Sequence, residues 1–151
     1  MDDNELMEMH KQHRTGQDKY TYFLLAVAAS GIAFSVEKTT GLKLSWSMLP
    51  LGAAVILWAI SFYCGCKILY WVQTSISANY MLLQLQKGVH SNQPDDSQKL
   101  ETAISGCSSL LDSSAKKAAF YDQWQFRLLI TGAVLFVAWR IVEMIIRTCA
   151  P

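Results

Sequence analysis

Arg140, Glu143 and Arg147 follow one another at steps of three and four near the end of an apolar stretch, Phe126 to Arg147. At that spacing the three side chains share one face of a helix, and opposite charges three or four apart can pair. Inside a membrane such groups face a bundle interior or a water-filled cavity. A ring of them selects ions through its local potential. The competing use is structural, because arginine within a turn or so of the boundary snorkels its head to the phosphates while its stem stays in lipid. If the stretch enters the bilayer near Trp124 or Arg127, Arg140 lies about 20 Å deeper, inside a core of about 30 Å. Glu143 then sits near the far interface, and Arg147 emerges from it. The pore-lining and boundary readings both stand on these residues, and the elements that hold them must decide.

Other chemistry is poorly supplied. Glu5, Glu8, His10 and His13 fall on one N-terminal segment. Histidines three apart could share a metal, but no third ligand follows at helical spacing, so no metal site is expected and the segment reads as a solvated amphipathic helix. Cys64 and Cys66 form a C-x-C pair without partners, and thiols in apolar surroundings are usually inert. The four cysteines, completed by Cys107 and Cys149, follow no disulfide-scaffold spacing and are expected to be reduced. There are no paired carboxylates in the apolar runs, no HExxH helix, no glycine-rich phosphate loop and no histidine placed to serve a serine. The chain is therefore not expected to be an enzyme, and no cofactor is expected.

The elements are easier to read. Of 151 residues, 52% are apolar, and they are gathered into runs rather than dispersed. Tyr20–Val36 lies uncharged between Lys19 and Glu37. Leu44–Cys66 lies uncharged between Lys43 and Lys67. The third run, Leu128–Trp139, continues beyond Arg140 through Ile146. A membrane-crossing helix needs roughly 20 residues, with about 17 near the lower limit. The expected fold is thus an all-α membrane protein with three transmembrane helices, at 20–36, 44–68 and 126–147. A cytoplasmic N-terminal segment at 1–19, an external loop at 37–43 and an external tail at 148–151 complete the outer parts. The N-terminal segment is long and mixed in charge, without a small-x-small cleavage site, so the first run reads as a retained span.

Lys and Arg sort the two sides. Lys11, Arg14, Lys19, Lys67, Lys87, Lys99, Lys116, Lys117 and Arg127 share the side of the N-terminus and middle segment, while Lys38, Lys43 and Arg147 face the other. The positive-inside rule places the N-terminus in the cytoplasm. Tyr20, Tyr22, Tyr70, Trp71, Tyr121 and Trp124 mark that boundary, and Trp46 marks the other. The expected location is a bacterial inner (plasma) membrane, with the lipid bilayer as first partner. Net charge of +1, without a basic stripe, argues against nucleic acid.

The middle segment, 69–125, reads as an antiparallel cytoplasmic helical hairpin with its loop near 88–96. No glycine or proline interrupts the chain between the second apolar run and Gly88, the expected helix stop. Asp95, Asp96 or Ser97 supplies the next N-cap. One seam runs through Leu69, Val72, Ile76, Asn79, Leu83 and Gln86. Its counterpart runs through Leu100, Ile104, Cys107, Leu111, Ala115, Ala118 and Tyr121. These coiled-coil-like stripes, on helices of roughly 44 and 50 residues counted with their spans, need burial against each other or against further copies. A loose amphipathic segment lying on the bilayer is the other reading.

Small residues four apart, Ala26 with Ser30, Ala29 with Ala33 and Gly31 with Ser35, favour close helix approach in the first span, and Gly52 follows Pro50 in the second. That packing serves one protomer or joins several. A chain this short cannot enclose a lumen alone. The function expected from these features is a homo-oligomer that forms or gates a pore, an ion channel in the broad sense. The alternative is a membrane-anchored module whose hairpin binds a cytoplasmic protein partner.

Overall fold

The computed structural model describes residues 3–40, 46–91, 94 and 96–149, with the side chains of 3–15, 17, 18, 47, 147 and 149 outside that description. Glu5, Glu8, His10, His13, Asp95, Arg147 and residues 41–43 of the 37–43 loop therefore lie outside the side chains described. Within the described residues the chain is all-α: α1 Asp3–Thr39, a 3₁₀ turn Trp46–Met48, α2 Leu49–Lys87 and α3 Ser97–Cys149. Stretches of all three helices, Lys19–Thr39, Leu49–Lys87 and Ser97–Ile146, are long and apolar enough to cross a membrane.

The boundaries have local causes. α1 does not break at Lys19, because nothing between Asp3 and Thr39 removes a backbone donor. At its far end the Thr39 hydroxyl donates to the carbonyls of Ser35 and Val36, that of Thr40 to Val36, and the Thr40 amide to Glu37, so the first carbonyls of the last turn are occupied. α2 has 39 residues rather than the roughly 44 expected, since it starts at Leu49, with Pro50 in the first turn where a missing backbone donor is tolerated. Its end is a Schellman motif. Gly88, at φ +69°, donates to the Leu85 carbonyl at 3.3 Å, and Val89 donates to Gln84 at 3.1 Å. α3 begins where Asp96 Oδ1 accepts the Gln98 amide at 3.0 Å, an N-cap on the first turn.

The chain divides into two compact units, residues 1–65 with 123–151 and residues 66–122. In the first, Trp58 of α2 is the centre. Leu24 and Ala28 of α1 and Leu129 of α3 bury against it, with Ile32, Ala133 and Phe136 around them. The indole reaches this position because two glycines give it room. A Cβ on Gly31 would lie 2.9 Å from Trp58 Cε3, and one on Gly132 would lie 2.7 Å from Nε1. Trp58 Nε1 donates to the Leu129 carbonyl at 3.2 Å, so the polar tip is satisfied inside the apolar cluster.

In the second unit, Lys117 of α3 lies 4.1 Å from the Trp71 ring centroid of α2, which brings the chain back alongside itself. The buried residues are Ile68, Ala78 and Leu85 on α2, with Cys107 and Ser114 on α3. Ala78 and Leu85 are seven apart, as are Cys107 and Ser114, the repeat of two helices that keep one face together. Three of these five are small. The interior of the second unit is narrow.

Candidate functional site

Arg140 Nη1 donates to Glu143 Oε2 at 3.1 Å, so the two charges expected on one face do pair. Arg140 is 52% exposed at its side chain, whereas Glu143 is mostly covered at 16%. Their level follows from the packing of α1 on α3. Gly31 and Gly132 abut opposite parts of the same indole, and Phe34 meets Phe136 edge-on at 5.9 Å between centroids. Four residues beyond Phe34 and Phe136 the two helices reach Lys38 and Arg140. Arg140 therefore stands level with the charges that end the uncharged run of α1, and Glu143 lies further out.

The opposite end of this unit holds a buried polar side chain. Gln125 is fully buried, and neither its Oε1 nor its Nε2 has a hydrogen-bond partner. It packs at Gly65, where a Cβ would lie 2.7 Å from Gln125 Nε2 and 2.6 Å from Leu25 Cδ2. Ser61, also fully buried, donates to the Gln125 carbonyl at 2.8 Å. The side chains about the amide are close-packed, so they hold it tightly without answering it.

The small residues separate into two sets. Gly31 and Ser35 face inward, and the Ser35 hydroxyl returns to the Gly31 carbonyl at 2.8 Å. Ala26, Ala29, Ser30, Ala33 and Gly52 are exposed. Ala26 and Ser30 line an open apolar groove of about 520 Å³ between α1 and α3, floored by Trp58 and walled by Phe34 and Phe136.

The residues expected to form the seam of the second unit divide in the same way. Leu69, Val72, Leu100, Ile104 and Leu111 are half-buried, whereas Ile76 and Leu83 are 50% and 45% exposed. On α2 the buried line passes through Ile68, Ala78 and Leu85, one or two positions from the apolar seam read in the sequence. On α3 the buried residues are Cys107, which the sequence seam included, and Ser114, with Ala115 exposed beside it. The inner line of α2 holds the small Ser75 and Ala78, which permit close helix approach, and Ile76 and Leu83 lie on the other side.

Reading by periodicity passed over Trp58, Gly65, Gln125 and Gly132. Gly65 and Gly132 carried a usable signal, since glycine in a helix interior costs about 1 kcal/mol relative to alanine and is kept where something packs closely. No metal-binding cluster of His, Cys, Asp or Glu occurs among the described residues. Neither a protein-family model nor a curated protein nor a solved structure matches this chain.

Proposed function

We propose that this chain is a membrane-anchored interaction protein: the first unit is its three-span anchor, and the second is a cytoplasmic helical hairpin that presents the binding surface. The observation that carries this reading is the inversion of apolar surface in residues 66–122. Tyr70, Ile76, Tyr80, Met81, Leu83, Leu110 and Phe120 are all more than 40% exposed, while the buried set includes only two large aliphatic side chains, Ile68 and Leu85. An apolar surface of that kind on a water-facing segment marks an interaction site. Native membranes extracted in mild detergent should contain the protein in a complex that Tyr80→Glu makes smaller, with the melting temperature of the protein unchanged. An unchanged complex size would overturn the reading.

Orientation follows the lysine and arginine count. A tag at the N-terminus or after Ser91 is expected to be protected in intact cells, and a tag after Pro151 to be labelled from outside. An inaccessible C-terminal tag would remove the three-span arrangement.

The pore remains a second reading, favoured by the half-exposed Arg140 of the Arg140–Glu143 pair. The level of Arg140 beside Lys38 supports the boundary role instead, since an arginine there snorkels at little cost. Planar bilayers holding verified oligomer are expected to stay silent for the parent, Arg140→Gln and Glu143→Gln alike. A conducting parent whose reversal potential moves towards cations with Arg140→Gln, and towards anions with Glu143→Gln, would establish the pore.

A further inference from the structure

α2 carries two stripes at coiled-coil spacing, and only one of them is used within the chain. The inner stripe holds the buried Ala78 and Leu85. On the opposite side Leu69, Ile76 and Leu83 recur every seven residues, with Gln73 and Tyr80 at the alternate positions between them. Steps of four and three place these five residues along one edge of the helix, the pattern by which two helices supercoil. Ile76, Tyr80 and Leu83 are 50%, 64% and 45% exposed. Among the described residues, Leu69 is half-buried and the rest of the stripe is left open.

Charge narrows what can. Between Lys67 and Lys87 α2 has no charged residue in nineteen positions. The facing stretch of α3, from Lys99 to Asp122, carries Lys99, Glu101, Asp112, Lys116, Lys117 and Asp122. A helix that faces water on most of its circumference ordinarily shows charge there. A partner chosen by charge would need charge to read, and this face offers none. An identical face, in contrast, meets it without like-charge repulsion, and its apolar positions are matched in kind.

We propose that the Leu69–Leu83 edge of α2 is the docking surface for the same edge of a second copy of this chain, forming a parallel two-stranded seam. This rests on the reading of residues 66–122 as a water-facing hairpin on a membrane anchor. Two copies anchored in one membrane with one orientation bring α2 to α2 parallel and in register, so Leu69, Ile76 and Leu83 each meet their own counterparts. Gln73 meets Gln73 and can share an amide hydrogen bond, a polar pair that fixes register in such seams. The seam is short, about 21 Å from Leu69 to Leu83 at 1.5 Å per residue. Anchoring offsets that brevity, because confinement to a membrane raises the effective concentration of one copy about another. The product is a four-helix arrangement with the uncharged helices central and the charged α3 segments outermost.

The test uses the full chain in liposomes, with Cys64, Cys66, Cys107 and Cys149 each replaced by alanine and an unaltered melting profile as the entry condition. If that background melts differently, the single cysteines are placed in the parent and read against it. Ile76→Cys and Leu83→Cys are expected to cross-link to themselves under mild oxidation at least ten-fold faster than Glu101→Cys on α3. Within Ile76→Cys, Leu83→Glu alone and Leu83→Lys alone should each slow cross-linking about ten-fold, and co-reconstituting the two should restore it. Equal rates at 76 and 101, or no restoration in the mixture, would overturn the self-pairing. Labelling of Ile76→Cys by a water-soluble maleimide separates the two levels of argument. Absence of cross-linking with protection confined to native membranes assigns the surface to another partner and keeps the interaction reading. Absence of cross-linking with rapid labelling everywhere removes both.

Discussion

Gly132→Leu is expected to destabilise the protein by about 3 kcal/mol, at the top of the range for overpacking a close-packed interior. The first added atom already has no room, since a Cβ there would lie 2.7 Å from Trp58 Nε1 and 3.2 Å from the Ala54 carbonyl oxygen. Trp58 cannot retreat. Gly31 backs its other side, where even a Cβ would lie 2.9 Å from Cε3, and the indole N–H is committed to the Leu129 carbonyl. The leucine must therefore separate α3 from α2, breaking that hydrogen bond and opening the cluster around Leu24 and Ala28. The opposite change, Trp58→Ala, should cost about 3–5 kcal/mol through the cavity it leaves. Gly52→Leu is the control, because Gly52 is exposed with nothing within 4 Å of its Cβ position, and surface changes usually stay within about 0.5 kcal/mol. Denaturant titration in one detergent compares all three, and a Gly132→Leu protein as stable as its parent would show that Trp58 is not the clamp.

The second large effect has the opposite sign. Gln125→Met is expected to stabilise the protein by about 1–3 kcal/mol, the cost of leaving a buried polar group unanswered. Both amide atoms of Gln125 are buried without a partner, and methionine keeps the length of the side chain. Gln125→Glu should do the reverse at neutral pH, because burial opposes the charged form. Its folded carboxyl then titrates above the unfolded one, so its deficit appears as pH rises through the carboxylate range and shrinks as pH falls. Urea titration of the three proteins at pH 7 and pH 4.5 measures both effects. A methionine variant weaker than the parent would mean that the amide is answered in the membrane, and a wet interior would return weight to the pore.

What the sequence disclosed was governed by how local the cause is. The apolar runs, the stop at Gly88 and the cap at Asp96 depend on a few neighbouring residues, and the helices follow them. Ser114 and Ala115 show where periodicity reaches its limit: adjacent small residues differ in hydropathy too little to say which of them points inward. α2 shows a different limit. Leu69, Ile76 and Leu83 make a seven-residue repeat that is plain in the sequence, but a repeat says nothing about which of two faces meets α3. The structure turns the weaker line, through Ala78 and Leu85, to the inside. Trp58 was hidden for a third reason, since Gly31, Trp58 and Gly132 belong to three helices whose relative heights appear in no single stretch of chain.

The way α2 ends and α3 begins has a practical meaning for anyone who wants to cut or extend this protein. The carbonyls of Gln84 and Leu85 are closed by Val89 and Gly88, and the amide of Gln98 is closed by Asp96. Each helix terminus is thus capped by bonds from its own neighbours. Ser91 is exposed between these finished ends. It is a natural splice point, where a fluorescent reporter can be inserted or the gene divided into two co-expressed fragments. Each fragment would then carry its cap with it.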